Sequence, residues 1–116
     1  MKKSKRAHLI TGGYPAGSDA GHDMNYARLR LLEFLAERDG LEVTVAMDFR
    51  DIGRWLPETD LLVTYVAGPF PTGAENDALS SWLEEGGRWL ALHGTRLALH
   101  GLRPCALHRA CAQFCS

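Results

Sequence analysis

The sequence predicts an α/β fold, a mostly parallel sheet with helices packed on it. Three observations predict this. Strand and helix signals alternate through the first hundred residues. The run LLVTYVAG at 61–68 is continuously apolar, as suits a central parallel strand covered on both faces. Glycine and proline punctuate the segments, at Gly12-Gly13, Gly40, Pro69 with Pro71, and Gly86-Gly87.

Each element has its own signal. AHLIT at 7–11 is a short buried strand running into the loop TGGYPAGSDAGHD, too rich in Gly, Ser and Asp to hold a helix or strand. Asp23 can cap a helix in which Met24, Ala27, Leu31 and Leu35 recur on one face. Leu32 and Phe34 widen that face, and Gly40 stops the helix. LEVTVAMD at 41–48 alternates and is β-branched, hence a second strand. DIGRWLPE is a short helical or irregular crossover into the third strand at 61–68. Residues 74–85 place Ala78, Leu79, Trp82 and Leu83 at helical spacing before the Gly86-Gly87 stop. RWLALHG is then a fourth strand.

The five letters LALHG occur at 90–94 and again at 97–101. Only the first copy follows a helix and a glycine pair, so it is expected in the sheet. The second precedes Pro104, which interrupts any helix, and is expected outside the sheet or in a helix. Val63, Tyr65, Leu90 and Leu92 are expected on central strands, with Ala27, Leu31 and Trp82 packed on them.

A length of 116 residues sets one domain, and 46% hydrophobic with 23% charged residues fits a globular core. The net charge of −1 leaves no field for nucleic acid or an anionic membrane. KKSKR at 2–6 reads as a solvated basic tail covering residues 1–6. No apolar stretch reaches the roughly 20 residues of a spanning helix, and a soluble, cytoplasmic protein is expected. The 3 cysteines, Cys105, Cys111 and Cys115, all fall in the last twelve residues. With His100 and His108 nearby they lack the paired spacing of structural zinc sites and read as free thiols.

Open α/β folds bind ligands at the carboxyl ends of their strands. Those ends are Thr11-Gly12-Gly13, Asp48, Gly68-Pro69 and His93-Gly94-Thr95. Neither G-x-G-x-x-G nor a closing Gly-Lys-Ser/Thr is present, so the glycine-rich loop is a connection or a pocket wall before it is a phosphate cradle. His22, beside the helix cap Asp23, is either a surface residue or, at the strand ends, a proton donor or metal ligand. His93 ends an apolar strand where such folds place chemistry, whereas His8 lies within a strand and reads as structural. There is no G-x-S-x-G elbow, and no Cys follows any of the four strands. Trp55, Trp82 and Trp89 read as residues covering the sheet.

The TGG of the first strand, His22-Asp23 and the segment GGRWLALHGT at 86–95 resemble the ThuA-like, or trehalose-utilisation, family over about residues 6–95. The resemblance implies a three-layer, flavodoxin-like sandwich of the class I glutamine amidotransferase kind. It places His93 where amidotransferases carry a nucleophilic Cys, which implies loss of glutaminase chemistry. It implies a role in carbohydrate utilisation, with trehalose or a related sugar derivative at the carboxyl edge of the sheet. His93 and His22 become the catalytic candidates, and Gly12, Gly13, Asp23, Gly94 and Thr95 the ligand-binding ones. No metal is assigned, and the cofactor is unknown. The family's strand order is expected to make the first and fourth strands neighbours, bringing His22 and His93 together.

Members of the family run to about twice this length, with further strands and helices after His-x-Thr. The stretch RLALHGLRPCALHRACAQFCS instead has the composition of an out-of-frame reading of a GC-rich gene. The expectation is an incomplete α/β domain at 7–95, truncated at its C-terminus, with an atypical, irregular or helical tail at 96–116. The alternative function is a non-catalytic binding or assembly module, or an inactive fragment. A homo-oligomer through an exposed sheet edge is the partner expected beside a sugar, with no nucleic acid and no membrane.

Overall fold

The computed structural model describes residues 4–13, 24–107 and 110–113, with backbone alone at 93–94, 96–97, 107 and 110–113. Strand β1 (Lys5–Gly12) leads to helix α1 (Met24–Ala36) and strand β2 (Leu41–Ala46). A short helix α2 (Ile52–Trp55) and a 3-10 turn (Leu56–Glu58) lead to β3 (Leu61–Val66). Helix α3 (Gly73–Glu84) then crosses to β4 (Arg88–Leu92). A 3-10 segment (His93–Gly101), a short helix α4 (Pro104–Leu107) and strand β5 (Ala110–Gln113) follow.

The sheet has five strands in the order β2-β1-β3-β4-β5, and every pairing is parallel. β3, the most apolar run in the sequence, takes the centre. Two expectations are corrected here. β1 and β4 are not neighbours, because β3 lies between them. The tail is not wholly irregular or helical, because Ala110–Gln113 pairs with Trp89–Leu92. β1 also begins at Lys5, so the last two residues of the basic tail belong to the sheet.

Strand alternation divides the core into two faces. Leu9 and Val63 join Leu35, Leu31 and Leu32 of α1 on one face, with Leu41, Val43, Leu61 and Leu92 at its margin. Ile10, Leu62, Val66, Trp89 and Ala91 form the other, under Ile52, Leu79, Trp82, Leu83 and Ala98. The second face is the better covered. Helices α2, α3 and α4 and the 3-10 segments close over it, while among the described residues α1 alone serves the first. The four expected core residues all lie in strands, yet only Val63 is fully buried; Tyr65, Leu90 and Leu92 are half-buried. Trp82 packs on the face opposite Leu31.

Phe34 does not widen the apolar face of α1. It is exposed, with the Arg38 guanidinium 4.8 Å over its ring. Trp82 and Trp89 are buried with their indole N–H groups satisfied. Trp82 Nε1 donates to the Thr59 carbonyl at 2.9 Å and Trp89 Nε1 to Thr64 Oγ1 at 2.8 Å. α3 starts on a capping box, with the Thr72 N–H donating to Glu75 Oε1 at 3.0 Å.

Candidate functional site at the carboxyl edge of the sheet

The chain leaves β1 for β2 on one side and reaches β3 on the other. The carboxyl ends of β1 and β3 therefore form the topological switch point, where loops diverge and leave a crevice. At this point the backbones approach so closely that only glycine fits. A Cβ on Gly12 would collide with the Met47 carbonyl oxygen. Gly13 has φ 138°, and a Cβ there would press on Ala67. Gly12 is buried and serves packing, whereas Gly13 is exposed on the rim.

Arg28 adds a cation to this rim. Its Nε donates to Thr11 Oγ1 at 2.8 Å, its Nη2 to the Thr11 carbonyl at 2.9 Å, and its Nη1 to Asn25 Oδ1 at 3.3 Å. All three acceptors are neutral, and no carboxylate pairs with Arg28 among the described residues. A sequence signal for it existed. Arg28 sits on the same helical stripe as Met24, Leu31 and Leu35, where an apolar residue is the norm. Asp48, at the end of β2, is spent locally on Arg50 at 3.0 Å.

The end of β4 turns directly into the 3-10 segment, so the backbones of His93 and Gly94 lie at the same carboxyl edge, one strand beyond β3. Thr95, expected among the ligand-binding residues, has its hydroxyl engaged within the protein. It is fully buried, and its hydroxyl accepts from the Val66 N–H and donates to the Val66 carbonyl at 3.2 Å. Its work is to dock the 3-10 segment onto the end of β3. His22 and Asp23 lie outside the described residues, as does the side chain of His93. Of the expected site, the structure brings Gly12, Gly13 and the His93-Gly94 backbone to one edge.

His8 lies on the face under α2 and is fully buried. Its Nδ1 is 2.6 Å from Thr44 Oγ1, and its ring stacks on Trp55 at 5.1 Å. Thr44 Oγ1 also lies 3.5 Å from the Ala7 carbonyl. Nε2 is buried without a partner among the described residues. Burial lowers the pKa of His8 from 6.5 to about 4. This is a neutral, structural histidine.

Two open grooves lie at the opposite, amino edge. One holds Arg6 with Glu42, Glu58 and Asp60. Its charges are engaged with one another, Arg6 with Glu42 at 3.4 Å and with Glu58 at 3.3 Å, while Asp60 accepts the Arg6 N–H at 2.9 Å. The other runs under Trp82 beside Gly86 and Gly87 and presents Asp60 and Glu85. Neither adjoins the carboxyl ends of the strands. Cys105 is an exposed free thiol, and no group of three metal-ligating side chains occurs among the described residues.

Architecture and edge together define a parallel α/β sandwich of the flavodoxin-like class. The comparisons agree at the level of the fold. Neither a family model nor a curated protein matches the chain. Among solved structures, the chain is similar to a protein described as ThuA-like from Bacteroides uniformis ATCC 8492, with a TM-score of 0.58 and 23% identity. The match covers 82% of this chain and 38% of that one, so the chain spans well under half the length of its structural relative. Among the described residues no helix is long and apolar enough to cross a membrane.

Proposed function

We propose that the chain is a ThuA-like protein that binds a sugar or sugar derivative, trehalose or a relative, at the carboxyl edge of its sheet. The observation that carries this reading is the switch point between β1 and β3. There Gly13, Arg28 and the His93-Gly94 turn lie at strand ends in a fold shared with a ThuA-like protein. No cysteine follows β1, β2, β3 or β4 at the carboxyl edge, where glutaminase chemistry would need a thiol at the end of β4. In this reading His93 and His22 are the proton-transfer candidates, Gly12, Gly13, Asp23 and Gly94 shape the pocket, and Thr95 holds the 3-10 segment in place behind it. Cytoplasmic carbohydrate utilisation is the setting proposed.

The reading is tested by calorimetric titration of the chain with trehalose, related disaccharides and their keto derivatives. Saturable binding, weakened at least about tenfold in His93→Ala while the circular dichroism spectrum is kept, is the expected outcome. Heats no larger than dilution across the series, or binding indifferent to His93→Ala, would overturn it.

A further inference from the structure

We propose that the ligand taken at the carboxyl edge is a sugar acid whose carboxylate is bound by Arg28. The proposal rests on the sugar-binding reading above and narrows its ligand class. Arg28 projects from the face of α1 that packs on the sheet, in line with Met24, Leu31 and Leu35. A cation on such a stripe is costly to take out of water without a partner of opposite charge. Among the described residues the chain supplies no such partner.

The guanidinium is fixed in place. Its Nε and Nη2 fork onto Thr11, at 2.8 Å to the hydroxyl and 2.9 Å to the carbonyl, and Nη1 reaches Asn25 Oδ1 at 3.3 Å. Thr11 is itself fully buried at the end of β1, so the seat is firm. A guanidinium has five N–H donors. Three are used here, which leaves one on Nη1 and one on Nη2. Neighbouring N–H groups on one planar cation are the complement of the two oxygens of a carboxylate.

Holding the Thr11 carbonyl does not by itself call for a charge. A glutamine amide would donate to the same oxygen without taking a full charge partly out of water. The surplus is a positive charge with spare donors, seated on Thr11 next to Gly12 and Gly13, at the switch point where the loops diverge. A carboxylate fits it better than a phosphate ester. One guanidinium carries one charge, whereas a phosphate dianion calls for a second cation, and Arg50 is bound to Asp48 at 3.0 Å. Because Arg28 is fixed before the ligand arrives, binding costs little side-chain entropy.

Calorimetric titration of the full chain with glucuronate, galacturonate and gluconate, against glucose, trehalose and glucose 6-phosphate, tests the proposal. At least one sugar acid is expected to bind about tenfold or more tightly than the neutral sugars and than glucose 6-phosphate. That preference should vanish in Arg28→Gln, which keeps an amide donor for Thr11. It should fall to about a third or less in Arg28→Lys, which keeps the charge without the fork. Circular dichroism and urea denaturation check that each variant folds. In the parent chain the Arg28 Nε–H resonance should shift on adding the sugar acid and stay in place with glucose, a readout that needs no variant. Acids bound no more tightly than neutral sugars overturn the proposal, as does tighter binding of glucose 6-phosphate. So does a preference that survives Arg28→Gln, or an Nε–H resonance indifferent to the acid, as expected of a guanidinium already paired within the chain. Neutral-sugar binding that depends on His93, with no preference for acids, sinks this proposal and leaves the sugar-binding reading standing. Acid binding that depends on Arg28 but is indifferent to His93→Ala supports Arg28 and sinks the part of that reading that rests on His93.

Discussion

His8 shows what burial does to a titratable side chain in this fold. Its neutral form is held by Thr44 and stacked on Trp55, and the charged form would have to enter a site with no counter-charge. The folded-state pKa, about 4, lies below the unfolded value of 6.5, so the unfolded chain binds the proton more readily. Stability is therefore full above pH 6.5 and falls as the pH drops from 6.5 towards 4. Urea titrations at pH 7 and pH 5 should differ by about 2 kcal/mol, and His8→Gln should flatten most of that difference. An unchanged slope in His8→Gln would show that His8 is solvated. The sequence already marked His8 as structural from its place inside a strand. It did not mark Thr95 as buried, because that depends on docking against Val66 of β3. It showed Arg28 only as a charge on the apolar stripe of α1, its place on the rim depending on Thr11 of β1.

At the scale of elements, apolar pattern decides existence and neighbours decide depth. The heptad-like recurrence of Met24, Ala27, Leu31 and Leu35 specified α1, yet only Leu35 is fully buried there, at 4% exposure. Among the described residues the helix is the sole cover of its face, so its outer residues have no second layer there to bury them. Leu35→Ala should cost about 2–5 kcal/mol and Leu31→Ala, half-buried, only about 1–2 kcal/mol in chemical denaturation. Equal costs would mean that α1 is rotated relative to the sheet. The repeated LALHG behaves in the same way. Leu90–Leu92 is strand because β3 lies alongside, while the copy at 97–101 falls in the 3-10 segment, held through Thr95 and the buried Ala98. β5 was not legible at all. Its letters, ACAQ, include no β-branched or aromatic residue, and the open edge of β4 is what makes them a strand.

For the whole molecule the tail therefore matters to the sheet. Truncation after Leu107 should leave the outer backbone groups of Trp89–Leu92 unpaired. Faster amide exchange along β4 and growing light scattering are the expected signs; a truncated chain exchanging like the parent would show that β5 contributes no pairing in solution. The class of the fold was open to sequence reasoning because it rests on local quantities: the period of apolar residues, the glycine and proline breaks, and one long β-branched run that can only be central. The sequence by itself determined the alternation of strands and helices, the central place of β3, and the candidate edge with Gly12, Gly13 and His93. Strand order was decided by tertiary structure alone, and with it the insertion of β3 between β1 and β4, the strand made from the tail, and the burial of Thr95. Each of those depends on which distant backbones find one another, and no local pattern encodes a pairing between segments tens of residues apart.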